Sequence, residues 1–291
     1  MGSLLRQYHE LPPALLDAEP RQLAEVLGGP ALIHLPGRRQ QPLFVSALLH
    51  GNETTGVLAI QELLRQFRGR ELPRALSLFI GNVEAARDGV RRLAGQPDYN
   101  RVWPGTEHSD SPERRLMSEV FDIMQLRAPF ASVDVHNNTG INPHYACINR
   151  IDHRFMHLAS LFSRTMVYFI RPTGVQSMAF ASLCPAVTVE CGKVGQSAGE
   201  LHVREFLDAC LHLSEIPVHP VAPHDVDLYH TVATVRVPRV FSFGFGAQPV
   251  DICFINDLDH LNFRELPPGT TLARLDGVDG MPLEVVDEQG L

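Results

Sequence analysis

The feature that most constrains the fold of this chain is a regular alternation of strand-like and helix-like hydrophobic patterns between residues 31 and 212. Short apolar runs such as ALIHL, PLFVSALL, ALSLFI and AVTVE are separated by stretches with apolar residues at helical spacing, such as TGVLAIQELLRQF and SPERRLMSEVFDIMQ. Strands that alternate with helices in this way form a largely parallel sheet that is covered by helices. We therefore predict an α/β fold with a mostly parallel mixed sheet flanked by helices.

The pattern changes in the last quarter of the chain. The segment from Pro217 onward is rich in Val, Pro and Gly, and it has short alternating runs without a long helical pattern. We predict a small β-rich C-terminal domain over residues 216–291, next to an α/β domain over residues 1–215.

Charge and cysteine usage limit the partners. The formal net charge of −8 argues against nucleic acid as a partner, because the chain has no basic tract that would release phosphate counterions.

The N-terminus lacks signal-peptide features, and no apolar run approaches the ~20 residues needed to span a bilayer. The five cysteines are scattered, odd in number and never arranged as CxxC, which suits reduced thiols. We expect a cytoplasmic protein without a membrane partner, for which the sequence leaves homo-oligomer formation open.

The stretch VSALLHGNETTG contains the first candidate site residues. An apolar strand ends here at His50, Glu53 follows in a turn, and a helical pattern begins directly afterwards. This spacing can bring an imidazole nitrogen and a carboxylate oxygen to one metal ion. Standing alone, the pair would be better explained as a loop histidine and a glutamate stabilised by the helix dipole.

Two further strands supply polar residues at their ends. In FASVDVHNNTG, alternation places Asp134 and His136 on the same face of a strand, and the strand AVTVE ends at Glu190. Because the carboxyl ends of strands in an open α/β sheet converge on the ligand crevice, we expect these side chains to meet His50 and Glu53. Two histidines and one carboxylate with an open fourth position form a catalytic zinc site.

Five motifs now occur in order between residues 45 and 200: HGNE, GN followed by Arg91 nine residues after Asn82, DYNRVWPG, DVHNNTG and VTVECGKVG. In this order they resemble the succinylglutamate desuccinylase/aspartoacylase family, which is related to the zinc carboxypeptidases. The resemblance implies a zinc carboxypeptidase-like fold and one Zn²⁺ per chain. It implies that His50, Glu53 and His136 bind the zinc.

The resemblance also implies roles for residues around the metal. Glu190 matches the general base and proton shuttle, and Arg91 matches the arginine that polarises the scissile carbonyl. We expect Asp134 to fix the tautomer of a zinc-bound histidine, with His50 as the expected partner. The residues expected to bind substrate are Asn100, Arg101 and Asn137.

Departures from the family pattern leave the substrate open. Aspartoacylases carry a further carboxylate-binding arginine before the catalytic glutamate, whereas QSMAFASLCP has none and Arg171 is the nearest candidate. The C-terminal domain also has no tyrosine after Tyr229. The first hypothesis is a zinc hydrolase of a small anionic N-acyl amino acid, of the acylaspartate or succinylglutamate type. The alternatives are a carboxypeptidase-like metallopeptidase and a catalytically silent metal-binding relative.

Overall fold

The computed structural model describes residues 4–278 and 280–290, which divide into two compact units. The first unit contains the chain up to Thr139 together with Pro143–Tyr229, and the second contains Gly140–Asn142 and the chain from His230 onward. The α/β class and the small C-terminal sheets predicted from the sequence are confirmed. Among the described residues, no helix is both long and apolar enough to cross a bilayer.

A nine-stranded sheet forms the centre of the first unit. Its strands in chain order are β1 (Arg6–Tyr8), β2 (Ala31–Leu35), β3 (Gly37–Ala47), β4 (Leu72–Ile80), β5 (Ala131–His136), β6 (Tyr145–Ile148), β7 (Thr165–Tyr168), β8 (Ala186–Glu190) and β9 (Asp227–His230). They lie side by side in the order β1-β2-β4-β3-β5-β8-β6-β7-β9. The central strands β4, β3, β5 and β8 are parallel, and antiparallel pairs β2/β4 and β6/β8 flank them.

Helices follow most of these strands. They are α1 (Leu23–Leu27), α2 (Thr55–Gln66), α3 (Val83–Asp88), α4 (Pro112–Arg127), α5 (His153–Ser160), α6 (Gln176–Phe180) and α7 (Ser197–His212). The helical pattern of SPERRLMSEVFDIMQ forms α4, which begins at Pro112, and the Ser111 hydroxyl accepts a hydrogen bond from the Arg114 N–H at 3.1 Å.

Burial of the central strands explains their apolar sequences. Every residue of β4 is buried, as expected for a strand covered on both faces. An aromatic cluster fills the core beside it, in which Phe44 stacks on Phe180 with ring centroids 4.4 Å apart and Trp103 meets Phe180 edge to face. This packing fixes the strands that carry the candidate site.

The parallel register brings the predicted residues to one edge of the sheet. Ala47 at the end of β3 pairs with Val135, and His136 pairs with Glu190 across β5 and β8. Directly after β3 the chain turns through Leu48, which has φ of 60°, and reaches His50 two residues later. A Cβ at Gly51 would lie 2.3 Å from the Ala85 carbonyl carbon, so glycine permits this loop to pack against α3.

The second unit contains two small sheets. β10 (Ala233–Arg236) pairs with β14 (Glu284–Asp287), whereas β11 (Phe243–Phe245), β12 (Ile252–Phe254) and β13 (Ala273–Leu275) form the other sheet.

The second compact unit resumes at His230. The segment between α7 and His230 includes most of β9, which lies next to β7 in the main sheet. The domain boundary at residue 216 stays a prediction.

Candidate metal centre

His50, Glu53 and His136 meet at the carboxyl edge of the sheet. His50 and Glu53 lie in the loop between β3 and α2, where the Glu53 N–H donates to the His50 carbonyl oxygen at 3.1 Å. Glu53 Oε1 lies 2.8 Å from His50 Nδ1, and Glu53 Oε2 lies 2.8 Å from His136 Nδ1. All three residues are buried, and their donor atoms lie within 4.8 Å of one another. In the part of the chain that the structure describes, no other group of three such donors is found.

The geometry of this cluster fits a cation. His50 Nδ1 is buried and close to Glu53 Oε1, but the two atoms are not aligned for a hydrogen bond, so the ring nitrogen has no donor or acceptor partner. Two imidazole nitrogens and a carboxylate oxygen that surround one point are the donor set that zinc binds. An ion at that point would satisfy the orphaned nitrogen.

Electrostatics favours the same interpretation. Burial would raise the pKa of Glu53, but His136 and His50 outweigh it and hold this pKa well below its usual value. Burial would lower the pKa of His136, but Asp134 and Glu53 outweigh it and raise this pKa well above 6.5. The cluster therefore attracts positive charge.

A second carboxylate holds the far nitrogen of each histidine. Asp134 Oδ2 lies 2.8 Å from His136 Nε2, and Asp98 Oδ1 lies 2.9 Å from His50 Nε2. The Ser46 hydroxyl donates to Asp134 at 2.7 Å and keeps it in place. These contacts occupy Nε2 of each ring and leave Nδ1 as the atom that can bind a metal ion.

The expected pairing of Asp134 with His50 is wrong, because Asp134 contacts His136. Residues two apart on a strand point to the same face, so Asp134 reaches the histidine of its own strand. Asp98 was not recognised in the sequence. An acidic residue two positions before Asn100, in a loop rich in arginine, was the available signal.

Asn100 lies on the Nε2 side of His136, away from the Nδ1 atoms that converge at the candidate metal centre. Its side-chain amide nitrogen lies 3.2 Å from Asp134 Oδ2 and 3.0 Å from His136 Nε2, and its oxygen accepts from the Gln176 N–H at 2.8 Å. Both polar ends are thus engaged inside the protein. This arrangement makes Asn100 a support for His136, and its expected role in binding a substrate carboxylate stays a prediction.

Asn137 is likewise occupied by internal contacts. Its amide nitrogen lies 3.0 Å from Thr55 Oγ1 and donates to the Gly192 carbonyl oxygen at 2.8 Å, and its backbone N–H donates to Glu53 Oε2 at 3.1 Å. Asn137 therefore ties the end of β5 to the start of α2 and to the loop after β8. These partners of its side-chain amide all lie inside the protein, and its expected substrate contact stays a prediction.

The predicted arginines border the centre. Arg91 is half-exposed and donates to Glu53 Oε1 at 3.1 Å and to Asp98 Oδ2 at 3.0 Å. Arg101 is partly buried and donates to the Asn100 carbonyl oxygen at 2.6 Å, and burial lowers its pKa. Arg171 instead pairs with Glu107 at 3.7 Å.

Glu190 lies at the end of β8, beside His136 in the sheet register. Its Oε2 is buried and has no hydrogen-bond partner among the described residues. Burial raises the pKa of Glu190 to about 7, with Glu53 and Asp134 adding to the rise and His136 opposing it. A carboxyl group with this pKa next to a metal centre can exchange a proton near neutral pH.

Comparison with known proteins gives a family match. Residues 39–215 match the model of the succinylglutamate desuccinylase/aspartoacylase catalytic domain. The chain is 37% identical to a succinylglutamate desuccinylase of Pseudomonas fluorescens over 93 residues, which are 31% of this chain and 26% of that protein. It is 32% identical to the Yersinia enterocolitica enzyme of that name over 111 residues, which are 36% and 33% of the two chains. The matched segments thus span only about a quarter to a third of these curated relatives.

Solved structures share the fold. A succinylglutamate desuccinylase from Chromobacterium violaceum aligns with a TM-score of 0.56 and 19% identity, covering 67% of this chain and 70% of that one. The product-bound ectoine utilization protein EutE (DoeB) from Ruegeria pomeroyi aligns with a TM-score of 0.56 and 17% identity, covering 87% and 79%.

Proposed function

Since this chain belongs to the succinylglutamate desuccinylase/aspartoacylase family, we propose that it is a zinc-dependent hydrolase that cleaves the amide bond of an N-acyl amino acid. One observation carries the proposal: the donor atoms of His50, Glu53 and His136 converge within 4.8 Å, beside the unpartnered carboxylate oxygen of Glu190. A cation site with an adjacent base of pKa about 7 is the arrangement that metal-assisted hydrolysis requires.

Each residue at the centre has a defined task in this reaction. When bound, a zinc ion supplies a Lewis acid that lowers the pKa of water and polarises a carbonyl group. Glu190 accepts the proton of the attacking water on its free Oε2 and then delivers it to the departing amine nitrogen. Asp98 and Asp134 hold the two histidine rings in place throughout the cycle.

The arginines act on the substrate. Arg91 reaches the rim of the centre and stabilises the negative charge that develops on the carbonyl oxygen during attack. Arg101 is partly buried, and its guanidinium binds the substrate carboxylate. The products are a carboxylic acid and a free amino acid.

The names of the relatives indicate a substrate class. The curated relatives and one of the structural neighbours are succinylglutamate desuccinylases by name. We therefore propose an N-succinyl or similar N-acyl amino acid, with acylaspartate as the second candidate. Arg171 pairs with Glu107 at 3.7 Å and is not assigned to the substrate carboxylate.

The test is hydrolysis of a panel of N-succinyl, N-acetyl and N-formyl amino acids by zinc-loaded protein. Release of a free amino acid from at least one of them supports the proposal. Release of C-terminal residues from peptides, without hydrolysis of acyl amino acids, would favour the metallopeptidase instead.

Replacing the proposed base separates catalysis from metal binding. The Glu190→Gln variant keeps its shape and its zinc but cannot accept a proton, so kcat should fall about 100- to 10,000-fold. Zinc content and turnover are measured on the same sample. An unchanged kcat would remove Glu190 from the reaction, and zinc-loaded protein that hydrolyses nothing in the panel would favour the silent binder.

A further inference from the structure

A cavity of about 490 Å³ lies at the amino edge of the main sheet, away from the metal centre. Phe130 and Pro185, which line it, directly precede β5 and β8, the strands that end at His136 and Glu190. At ~3.3 Å per residue, the length of β5 places the cavity roughly 17–20 Å from the metal centre. The two sites therefore lie at opposite ends of the same strands.

Arg74 forms one wall of this cavity and is only 2% exposed. Its Nη atoms donate to the Gln41 carbonyl oxygen at 2.9 Å and to the Leu213 carbonyl oxygen at 2.8 Å. Its guanidinium carbon lies 3.5 Å from the centroid of the Phe130 ring, and its Nε has no hydrogen-bond partner. Among the described residues, no carboxylate forms an ion pair with Arg74, so this buried cation is without an anion.

Two more arginines line the same cavity. Arg39 is exposed and is the register partner of Arg74 across β3 and β4. In the described part of the chain, its side chain forms one hydrogen bond, to the His212 carbonyl oxygen at 3.4 Å, and no ion pair. Arg154 contacts Asp152 at 3.5 Å. The lining thus contains three arginines and one carboxylate, Glu215, in a protein with a formal net charge of −8, and the Asp152 carboxylate that contacts Arg154 lies outside the lining.

A purely structural role explains the position of Arg74 but not that of Arg39. The two carbonyl bonds of Arg74 secure the end of α7 and the irregular part of β3, which explains its Nη atoms. They do not explain why Arg39 lies beside it without a counter-ion, because two adjacent cations repel each other. An anion between them would remove that repulsion.

We propose that this cavity binds a small molecule through a phosphate or carboxylate group, which Arg39 and Arg154 contact and which the buried positive charge of Arg74 attracts. Guanidinium groups match both oxyanions because they donate pairs of parallel hydrogen bonds. The volume lies within the range of small-molecule sites, so the ligand can be larger than a bare ion. This inference does not depend on the proposed hydrolase activity.

The experiment is calorimetric titration of the full-length protein with inorganic phosphate and, separately, with succinate, at constant ionic strength set by sodium chloride. The test variant carries Arg39→Ala and Arg154→Ala. The matched control is Arg38→Ala, which removes an exposed arginine that pairs with Glu71 at 3.9 Å and does not line the cavity. Circular dichroism verifies that each variant is folded.

We expect saturable binding of at least one anion. The affinity should fall about tenfold or more in the double variant, which loses the charge-assisted hydrogen bonds of Arg39 and Arg154. It should be unchanged in the Arg38→Ala control, which keeps them. Preference for phosphate or for succinate identifies the group that the cavity selects. The proposal is overturned if neither anion binds, or if the double variant binds as tightly as the wild type. Binding that is lost in Arg101→Ala but kept in the double variant would place the anion at the metal centre and also overturn it.

Discussion

At the scale of single residues, the centre works through pairs in which one side chain fixes the state of another. His50 and His136 present Nδ1 to a common point because Asp98 and Asp134 hold their other nitrogens. Glu190 has no such partner on Oε2, and its burial raises its pKa to about 7. The proposed metal ligands thus have fixed hydrogen-bond partners, whereas Oε2 of the proposed base has none.

The raised pKa of Glu190 predicts the pH dependence of catalysis. A general base acts when it is deprotonated, so kcat/KM should rise with pH up to about 7 and be lost as the carboxylate protonates below that pH. A bound cation lowers the pKa of a nearby carboxyl, which moves this rise to lower pH but not to higher pH. The measurement is kcat/KM across the acidic and neutral range on a substrate from the panel. A rate that stays constant through this range, or decreases as pH rises toward 7, would contradict the assignment.

Loss of Asp98 tests the role of the carboxylate that the sequence did not reveal. The Asp98→Asn variant loses the charge that orients His50, and we expect zinc affinity to fall about 10- to 100-fold. Affinity is measured by competition with a chelating dye. The control is Asp88→Asn, an exposed aspartate on α3 that contacts only Arg87 in the described contacts. Equal affinities in both variants would show that Asp98 does not position the histidine.

At the scale of secondary-structure elements, much of the fold followed from local pattern. The apolar runs predicted β2, β4, β5 and β8, and apolar residues at helical spacing predicted α4. β1, β9 and α6 were not predicted, because RQY, DLYH and QSMAF are short and have neither a clear apolar run nor a clear alternation. Strand order was not predictable either, because pairing depends on contacts between distant segments.

Some features of the candidate site could also be predicted from the sequence, and others could not. Residues at strand ends, such as His136 and Glu190, follow from the sheet geometry together with motif order. The inward orientation of Asn100 and Asn137 does not, because an amide next to a metal ligand can face either the substrate or the protein. Only the positions of Gln176, Thr55 and Gly192 show that these amides face inward.

The contact between the His50 loop and α3 can be tested through Gly51. A Cβ added by Gly51→Ala would lie 2.3 Å from the backbone of Ala85, so the loop must move, with an expected loss of about 1–3 kcal/mol in unfolding free energy. Because His50 is the adjacent residue, zinc affinity should fall as well. Denaturant unfolding and metal titration give the two quantities.

Gly69→Ala is the matched control for this change. Gly69 has φ of 71° but no atom within 4 Å of an added Cβ, so alanine there costs only backbone strain. We expect reduced stability with normal zinc affinity. Normal zinc affinity in Gly51→Ala would show that the loop tolerates the displacement without moving the ligand.

At the scale of the whole molecule, the sheet has different chemistry at its two edges. The carboxyl edge gathers His50, Glu53, His136 and Glu190 into the proposed metal centre. The amino edge gathers arginines around a cavity. A parallel sheet produces this separation because all its central strands point the same way. The overall charge of −8 therefore says little about either site.

The most direct test of the central claim is the ratio of zinc to protein, measured by elemental analysis after zinc loading and removal of excess metal. The wild type should hold one zinc per chain, and His136→Ala should lose most of it because one of three protein ligands is gone. The control His153→Ala, which changes an exposed histidine at the start of α5, should keep a full complement. No zinc in the wild type, or full occupancy in His136→Ala, would contradict the metal centre described here.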